Sequence, residues 1–377
     1  CHVGFITEEK WMSGPRIQPS ILDIAPYVPG LSSAPSDKRL VKLSSNETPL
    51  GTSPLAVEAY RGSSELLHLY PDGSAKKLRT AIGDRYDLDP KRIVCGNGSD
   101  DLLYLLATAF AGTGDEILLT KHAFAMYEIA ARSVGATPVI APARFLGSDV
   151  DSLLKHTTPN TRMCYLANPN NPTGTFVPAG EVERLRDGLP DHVVLVIDAA
   201  YAEYVRREDY SDGIELVARH DNVIVTRTFS KIYGLAALRL GWLYGPPEVI
   251  EALNRIRCPF NANGAAQAAG IAALADTAFV EAAVTHNEKW RPWLEMELEA
   301  IGLIVHPSIG NFVLVEFERS SGRSAREVYE YLLRNGVVGR ELSGYDLEDY
   351  LRFTVGLEED NRLLVDLLSE FLASANQ

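Results

Sequence analysis

Val223-Ile224-Val225-Thr226-Arg227-Thr228-Phe229-Ser230-Lys231-Ile232-Tyr233-Gly234-Leu235-Ala236-Ala237-Leu238-Arg239-Leu240-Gly241 joins a β-branched run to a polar segment. The run, Val223 to Thr228, has the length and composition of a buried strand, and it stops where a lysine, an arginine and two glycines begin. Similar runs lie upstream at Ile93 to Cys95, Ile117 to Thr120, Pro138 to Ala141, Met163 to Ala167 and Val193 to Asp198. Amphipathic stretches separate them, notably Asp100 to Phe110, Ala125 to Val134 and Glu181 to Leu189. This alternation predicts an α/β fold, a mostly parallel sheet between two layers of helices joined by right-handed crossovers.

The flanks read differently. Residues 18–62 are rich in Pro, Ser and Gly with little periodicity, which predicts an arm. Beyond Pro259, long helices at Gly264 to Leu274 and Val280 to Ile301 precede short strands at Ile304 to His306 and Phe312 to Glu316, the pattern of a smaller α+β unit. The expected division is a tail and arm at 1–50, a large domain at 51–260 and a small C-terminal domain at 261–377. Residues before about Pro19 read as a tail with no signal-peptide core, and Met12 is a candidate start.

Of the 377 residues, 46% are hydrophobic and 23% charged, which excludes disordered and fibrous classes. Lys plus Arg is 36 against 50 for Asp plus Glu, so the net charge is -14 and nonspecific attraction to nucleic acid or anionic lipid is disfavoured. The longest weakly polar run, Gly264 to Ala275, falls short of the roughly 20 residues of a membrane span. Cys1, Cys95, Cys164 and Cys258 form no C-x-x-C pair, which suits a reducing, cytoplasmic compartment.

The chemistry concentrates at the carboxyl ends of the expected parallel strands, where open α/β sheets bind ligands. Lys231 follows a buried strand, and a desolvated lysine favours the neutral amine that forms a Schiff base. Thr228, Ser230 and Arg239 are donors suited to a phosphate, Arg239 with a bidentate fork. Gly96-Asn97-Gly98-Ser99-Asp100-Asp101 lets backbone amides approach a phosphate at a helix N-terminus. It is no dinucleotide fingerprint, because Asp101 stands where the third glycine is needed. Asn168-Pro169-Asn170-Asn171-Pro172-Thr173-Gly174 is, by composition, a turn.

The segment from Thr228 to Gly241 resembles the lysine motif of fold-type I pyridoxal-phosphate aminotransferases, and the resemblance spans nearly the whole chain. It implies a large domain with a seven-stranded-type sheet and a smaller C-terminal domain. By this resemblance Lys231 carries pyridoxal 5'-phosphate and shuttles the proton, while Thr228, Ser230 and Arg239 hold its phosphate above Gly98, Ser99 and Asp100. Asp198 would keep the ring nitrogen protonated. Tyr201 and Asn171 would bond the phenolic oxygen, and Phe124 would stack on the ring. Tyr70, in Tyr70-Pro71-Asp72-Gly73, would reach the cofactor phosphate of a neighbouring subunit, which implies a homodimer with shared sites.

Ile24-Ala25-Pro26-Tyr27-Val28-Pro29-Gly30 matches the arm of the class II histidinol-phosphate aminotransferase subfamily, and Ser44 to Gly51 resembles its N-E-N-P-x-G segment, departing at Thr48. The resemblance places Tyr27, Asn46, Arg340 and Arg352 around the substrate. Histidinol phosphate carries a phosphate ester and glutamate carries carboxylates, and a guanidinium fork fits both. The expected reaction is transamination of L-histidinol phosphate with 2-oxoglutarate, with no metal, no nucleic-acid partner and no membrane. Aromatic amino-acid transamination and a threonine-phosphate decarboxylase-like activity are the alternatives. A sensor fused to a DNA-binding module is disfavoured by the short N-terminal extension and the acidic charge.

Overall fold

The computed structural model describes residues 16–33, 37–319 and 322–374. Cys1, Met12 and most of the expected tail lie outside the described residues. The chain opens with α1 (Pro19–Leu22), β1 (Val41–Lys42), α2 (Pro54–Gly62) and α3 (Lys76–Tyr86). There follow β2 (Ile93–Gly96), α4 (Ser99–Phe110), β3 (Glu116–Thr120), α5 (Met126–Ser133), β4 (Thr137–Ala141), α6 (Val150–Lys155) and β5 (Thr161–Ala167). Next come α7 (Ala179–Gly188), β6 (Val194–Asp198), α8 (Ile214–Arg219), β7 (Val223–Thr228), β8 (Gly241–Tyr244) and α9 (Pro247–Ile256). The C-terminal part holds α10 (Gly264–Ala275), α11 (Thr277–Ala300), β9 (Ile304–His306), β10 (Phe312–Glu316), α12 (Ala325–Arg334), β11 (Val337–Val338), β12 (Arg340–Leu342), β13 (Leu347–Thr354) and α13 (Glu358–Ser374).

Seven strands form the central sheet in the order β2-β8-β7-β6-β5-β3-β4. The neighbours from β7 to β4 pair in parallel, and β8 runs antiparallel to both β2 and β7. Alternate residues of each strand feed opposite faces. Val223 and Val225 join one buried cluster with Ile197, Trp242 and Ala269, while Ile224 joins another with Val196, Leu106 and Tyr127. Helices therefore cover both faces, as a parallel sheet requires. Cys95 and Cys164 sit buried within strands, and Cys258 is exposed.

The expected arm is more structured than its composition suggested. Val41 and Lys42 pair in parallel with Val337 and Val338, and Ser53 caps α2 by accepting from the Ala56 amide. Its polar composition hid this order because the partners lie almost three hundred residues away in sequence.

The division expected at 260/261 also needs correction. Ala266, Ala269 and Ala273 of α10 lie in the same cluster as Leu78 and Phe229 of the large unit. Within α11, Val280 and Val284 belong to that cluster, whereas Leu294 and Leu298 pack with Val41, Leu43, Val313 and Phe353. One core thus ends and the next begins inside a continuous helix, with no loop to mark it. The second core backs a four-stranded antiparallel sheet in the order β12-β13-β10-β9. Among the described residues no single helix is long and apolar enough to cross a membrane.

Candidate active site

Three neighbouring strands end together. Ala167 of β5 is in register with Asp198 of β6, and Asp198 with Thr226 of β7, so the segments leaving these strands converge on one cavity. It holds about 270 Å³ and is lined by Ser99, Asp100, Phe124, Asn171, Asp198, Tyr201, Thr228, Ser230, Lys231 and Arg239 from the central sheet unit. Tyr27 and Asn46 reach it from the N-terminal segment, and Arg340 and Arg352 from the C-terminal sheet. Residues scattered over more than three hundred positions meet because strand ends, a helix start and one edge of the small sheet face each other.

Lys231 is partly buried, and its Nζ donates to the Ser45 carbonyl at 2.9 Å and lies 5.7 Å from the centre of the Tyr201 ring. Tyr201 is buried and accepts from Asn46 Nδ2 at 2.9 Å. Asn46 is held at φ 58, accepts from the Thr354 hydroxyl and so acts on Tyr201, besides lining the cavity. Asp198 is buried and accepts from the Tyr127 hydroxyl at 2.8 Å and the Thr226 hydroxyl at 3.1 Å. Burial pushes its carboxyl up to about 6, because desolvation outweighs the help of these two donors.

At the other end of the cavity, Arg239 Nη1 donates to Ser230 Oγ at 3.2 Å and Nη2 to Asp100 Oδ2 at 3.0 Å. Gly98 stands at φ 86, where a Cβ would come within 2.4 Å of Arg239 Nη2. At Gly241 a Cβ would meet the Ser99 amide nitrogen at 2.4 Å. Both glycines therefore let β8, the start of α4 and the arginine close into a cradle of hydroxyls, guanidinium and helix N-terminus, a donor set that matches a phosphate ester.

Arg340 and Arg352 are direct partners across the β12–β13 ladder. Arg352 is buried, donates to Ser44 O at 2.8 Å and to Asn171 Oδ1, and lies 5.2 Å from the Phe312 ring centre. Desolvation lowers its pKa, so its charge is held at a cost that an anion would relieve. Arg340 donates to the Val28 carbonyl at 2.7 Å and lies 5.7 Å from the centre of the Tyr27 ring. Tyr27 in turn meets Phe124 edge to face at 6.5 Å. A second cavity of about 500 Å³ continues beneath residues 23–31 and shares Tyr27 and Arg340 with the first.

Tyr70 is absent from this cavity. It is 83% exposed and stacks on Phe260 at 4.5 Å. Tyr127 and Thr226 were missed, although Tyr127 sits in the same Lys121 to Tyr127 segment as Phe124. Nothing in one dimension says that its hydroxyl meets a carboxylate seventy-one residues on.

A model of the family described as aminotransferase class I and II matches residues 38–368. The chain belongs to the class I and II aminotransferases. It is 54% identical over 361 residues to a histidinol-phosphate aminotransferase of Rhodospirillum centenum, covering 96% of this chain and 99% of that protein. It is 52% identical over 363 residues to a histidinol-phosphate aminotransferase of Rhodopseudomonas palustris, covering 96% and 100%. The fold superposes with a TM-score of 0.86 on the histidinol-phosphate aminotransferase of Sinorhizobium meliloti in complex with pyridoxal 5'-phosphate, at 27% identity, covering 96% of this chain and 99% of that one.

Pyridoxal 5'-phosphate is the cofactor of this family, and the residues present fit it: the Gly98 cradle would take the phosphate, the buried Asp198 carboxylate would face a ring cation and Lys231 would offer the amine. Two expectations follow for this aminotransferase. Gly98→Ala strains the backbone at φ 86, ψ 168, a conformation close to glycine-only that costs an L residue about 1–3 kcal/mol of stability, and its methyl group displaces the Arg239 guanidinium, so cofactor affinity measured by equilibrium dialysis falls about tenfold. An unchanged dissociation constant would remove Arg239 from the phosphate site. The second concerns pH. Asp198 has a folded pKa of about 6, above its ordinary 3.8, so its contribution to stability is complete below 3.8 and is lost as pH rises through 6. A cationic ring nitrogen held against this carboxylate would offset that loss. The gain in Tm on loading the cofactor is therefore larger near pH 7.5 than near pH 5, and equal gains would contradict a charged partner for Asp198.

Proposed function

We propose that this aminotransferase converts L-histidinol phosphate and 2-oxoglutarate to imidazole acetol phosphate and L-glutamate, working in the cytoplasm. The observation that carries the reading is the Arg340–Arg352 pair, two guanidinium groups from adjacent strands facing one cavity with Lys231. A phosphate ester in one half-reaction and carboxylates in the other demand an anion site that tolerates both, and two forks supply it. The relatives at 52–54% identity carry the same activity in their names, which supports the substrate assignment.

When bound, pyridoxal phosphate supplies an electron sink for the pair released at the amine-bearing carbon. The chain's own groups do the rest. Lys231 Nζ is the amine that would take up the proton released at that carbon and give it back on the far side of the shared nitrogen, as a general base and then a general acid. Asp198, held by Tyr127 and Thr226, keeps a cation opposite it protonated. Asn171 accepts a hydrogen bond from Arg352, so the residue that would orient the cofactor's phenolic oxygen and the one that would anchor the substrate anion are tied together. Tyr27 and Phe124 meet edge to face on the arm side of the cavity.

The active unit in this reading is a homodimer. Tyr70 stands exposed beside the exposed Leu66, Leu67, Leu69 and Phe260, an apolar stretch suited to a second copy, whose cofactor phosphate Tyr70 would reach. The central-sheet unit provides Lys231, the C-terminal unit provides the arginines, and α11 joins them.

A donor panel against 2-oxoglutarate tests the reaction. Histidinol phosphate is expected to exceed phenylalanine and tyrosine in kcat/KM. Equal or better rates with the aromatic acids would move the assignment to them, since Tyr27 faces an imidazole or a phenyl ring alike. Carbon dioxide release without glutamate would indicate a decarboxylase.

A further inference from the structure

Behind the cavity, on the other face of the sheet, a buried ion cluster joins the elements that carry the site. β7 alternates, so Thr226 and Thr228 face Asp198 and the cavity while Arg227 between them points the opposite way. The Arg227 guanidinium, only 4% exposed, pairs with Glu203 at 3.0 Å through Nη1 and with Asp212 through Nη2. It lies over the rings of Tyr86 and Trp242, 5.1 and 5.8 Å from their centres. Tyr86 donates its hydroxyl to Glu203 at 3.0 Å and shares a 2.6 Å hydrogen bond with Tyr233. Arg85, Arg206 and Glu281 line the open side of the cluster, with Arg206 paired to Glu281.

The placement of these groups matters more than their number. Glu203 lies two residues beyond Tyr201, in the 3-10 turn Ala202–Tyr204, and Tyr233 lies two residues beyond Lys231. One guanidinium on β7 thus holds, through Glu203, the turn that presents Tyr201 and, through Tyr86 and Tyr233, the loop that presents Lys231. A buried ion cluster is a weak source of stability, because desolvation consumes most of the attraction, and an apolar replacement of equal volume is often as stable. Its planar, directional bonds are better suited to fixing geometry.

We propose that Arg227 and Glu203 are positioning residues that set Tyr201 and Lys231 relative to Asp198 from behind the sheet. The inference rests on the cavity being the cofactor site. If wild-type protein with cofactor shows no visible absorbance band, or Lys231→Ala keeps the wild-type band, it is that site reading which fails.

The test reads the pH midpoint of the visible absorbance of the loaded protein, with Tm recorded alongside. Tyr201→Phe removes the hydroxyl and shifts the midpoint. Glu203→Gln keeps the side-chain volume and an acceptor for Tyr86 but loses the ionic grip, and is expected to shift the midpoint the same way by about 0.5 pH unit. In the Tyr201→Phe background Glu203→Gln adds no further shift, because its effect passes through the hydroxyl already removed. Arg227→Met is expected to act more strongly, with partial rescue by Arg227→Lys, which keeps the charge without the fork. A lowered Tm with an unchanged midpoint in Glu203→Gln would overturn the proposal, as would equal shifts in both backgrounds. Glu203→Gln keeps the test available should Arg227→Met fail to fold.

Discussion

Lys231→Ala is expected to lose transaminase turnover by roughly 10⁴-fold while remaining folded, because in the proposed mechanism this amine both anchors the cofactor and moves the proton. The Lys231 amine makes one hydrogen bond, to the Ser45 carbonyl, and its stem is only partly buried, so truncation leaves little packing to lose. The cradle of Ser230, Arg239 and the start of α4 is untouched, so cofactor should still bind through its phosphate. Borohydride reduction followed by tryptic mapping checks the assignment directly. In the wild type the label should fall on the peptide containing Lys231, and in the variant no lysine should carry it. A label on another lysine, or a variant retaining more than about a hundredth of the activity, would disprove the role.

Arg352→Leu is expected to lower kcat/KM for both half-reactions by about 10²- to 10³-fold, the usual consequence of removing a buried, hydrogen-bonded partner of an anion. The loss should fall on histidinol phosphate and on glutamate alike, since the two-arginine site serves both and Arg352 is its buried member. Stability should move little, because Arg352 gives up its bonds to Ser44 and Asn171 but also its desolvation cost. Arg352→Lys separates charge from geometry. It keeps a cation but cannot hold Asn171, Ser44 and a substrate anion together, so it should recover only part of the loss. Steady-state kinetics with each substrate pair, beside thermal melts, decide the matter. A loss confined to one substrate would assign the shared anion site to Arg340 instead.

Most of the candidate site was legible because its groups follow strands. Thr228, Ser230 and Lys231 trail one apolar run, Asp198 ends another, and Asn171 follows a third, so a correct reading of β5, β6 and β7 brings them to a common edge. Other features were not legible. β8 is not among the strands expected from the sequence, because Gly241 to Tyr244 is short and its antiparallel pairing with β2 and β7 depends on where the chain turns. Tyr127 reads as a core aromatic on α5, and its bond to Asp198 exists only because α5, packed on β3 and β4, lays the ring on Tyr165 of β5 within reach of the end of β6. Arg227 reads as a polar interruption of a strand until Glu203 and Asp212 are brought beneath it.

The linear order of residues was enough to determine a mostly parallel α/β unit, a smaller C-terminal unit and which strand-end residues meet at one cavity with Lys231, because strand periodicity and the residues just past strand ends are local properties. Tertiary structure alone decided that the cores exchange inside α11, that Val41 and Lys42 pair with β11, that Arg340 and Arg352 stand opposite each other, and that Tyr70 stays out of the lining of its own cavity and stacks on Phe260. Those outcomes depend on contacts between segments far apart in sequence, where side-chain packing and strand register, rather than local propensity, set the lowest free energy.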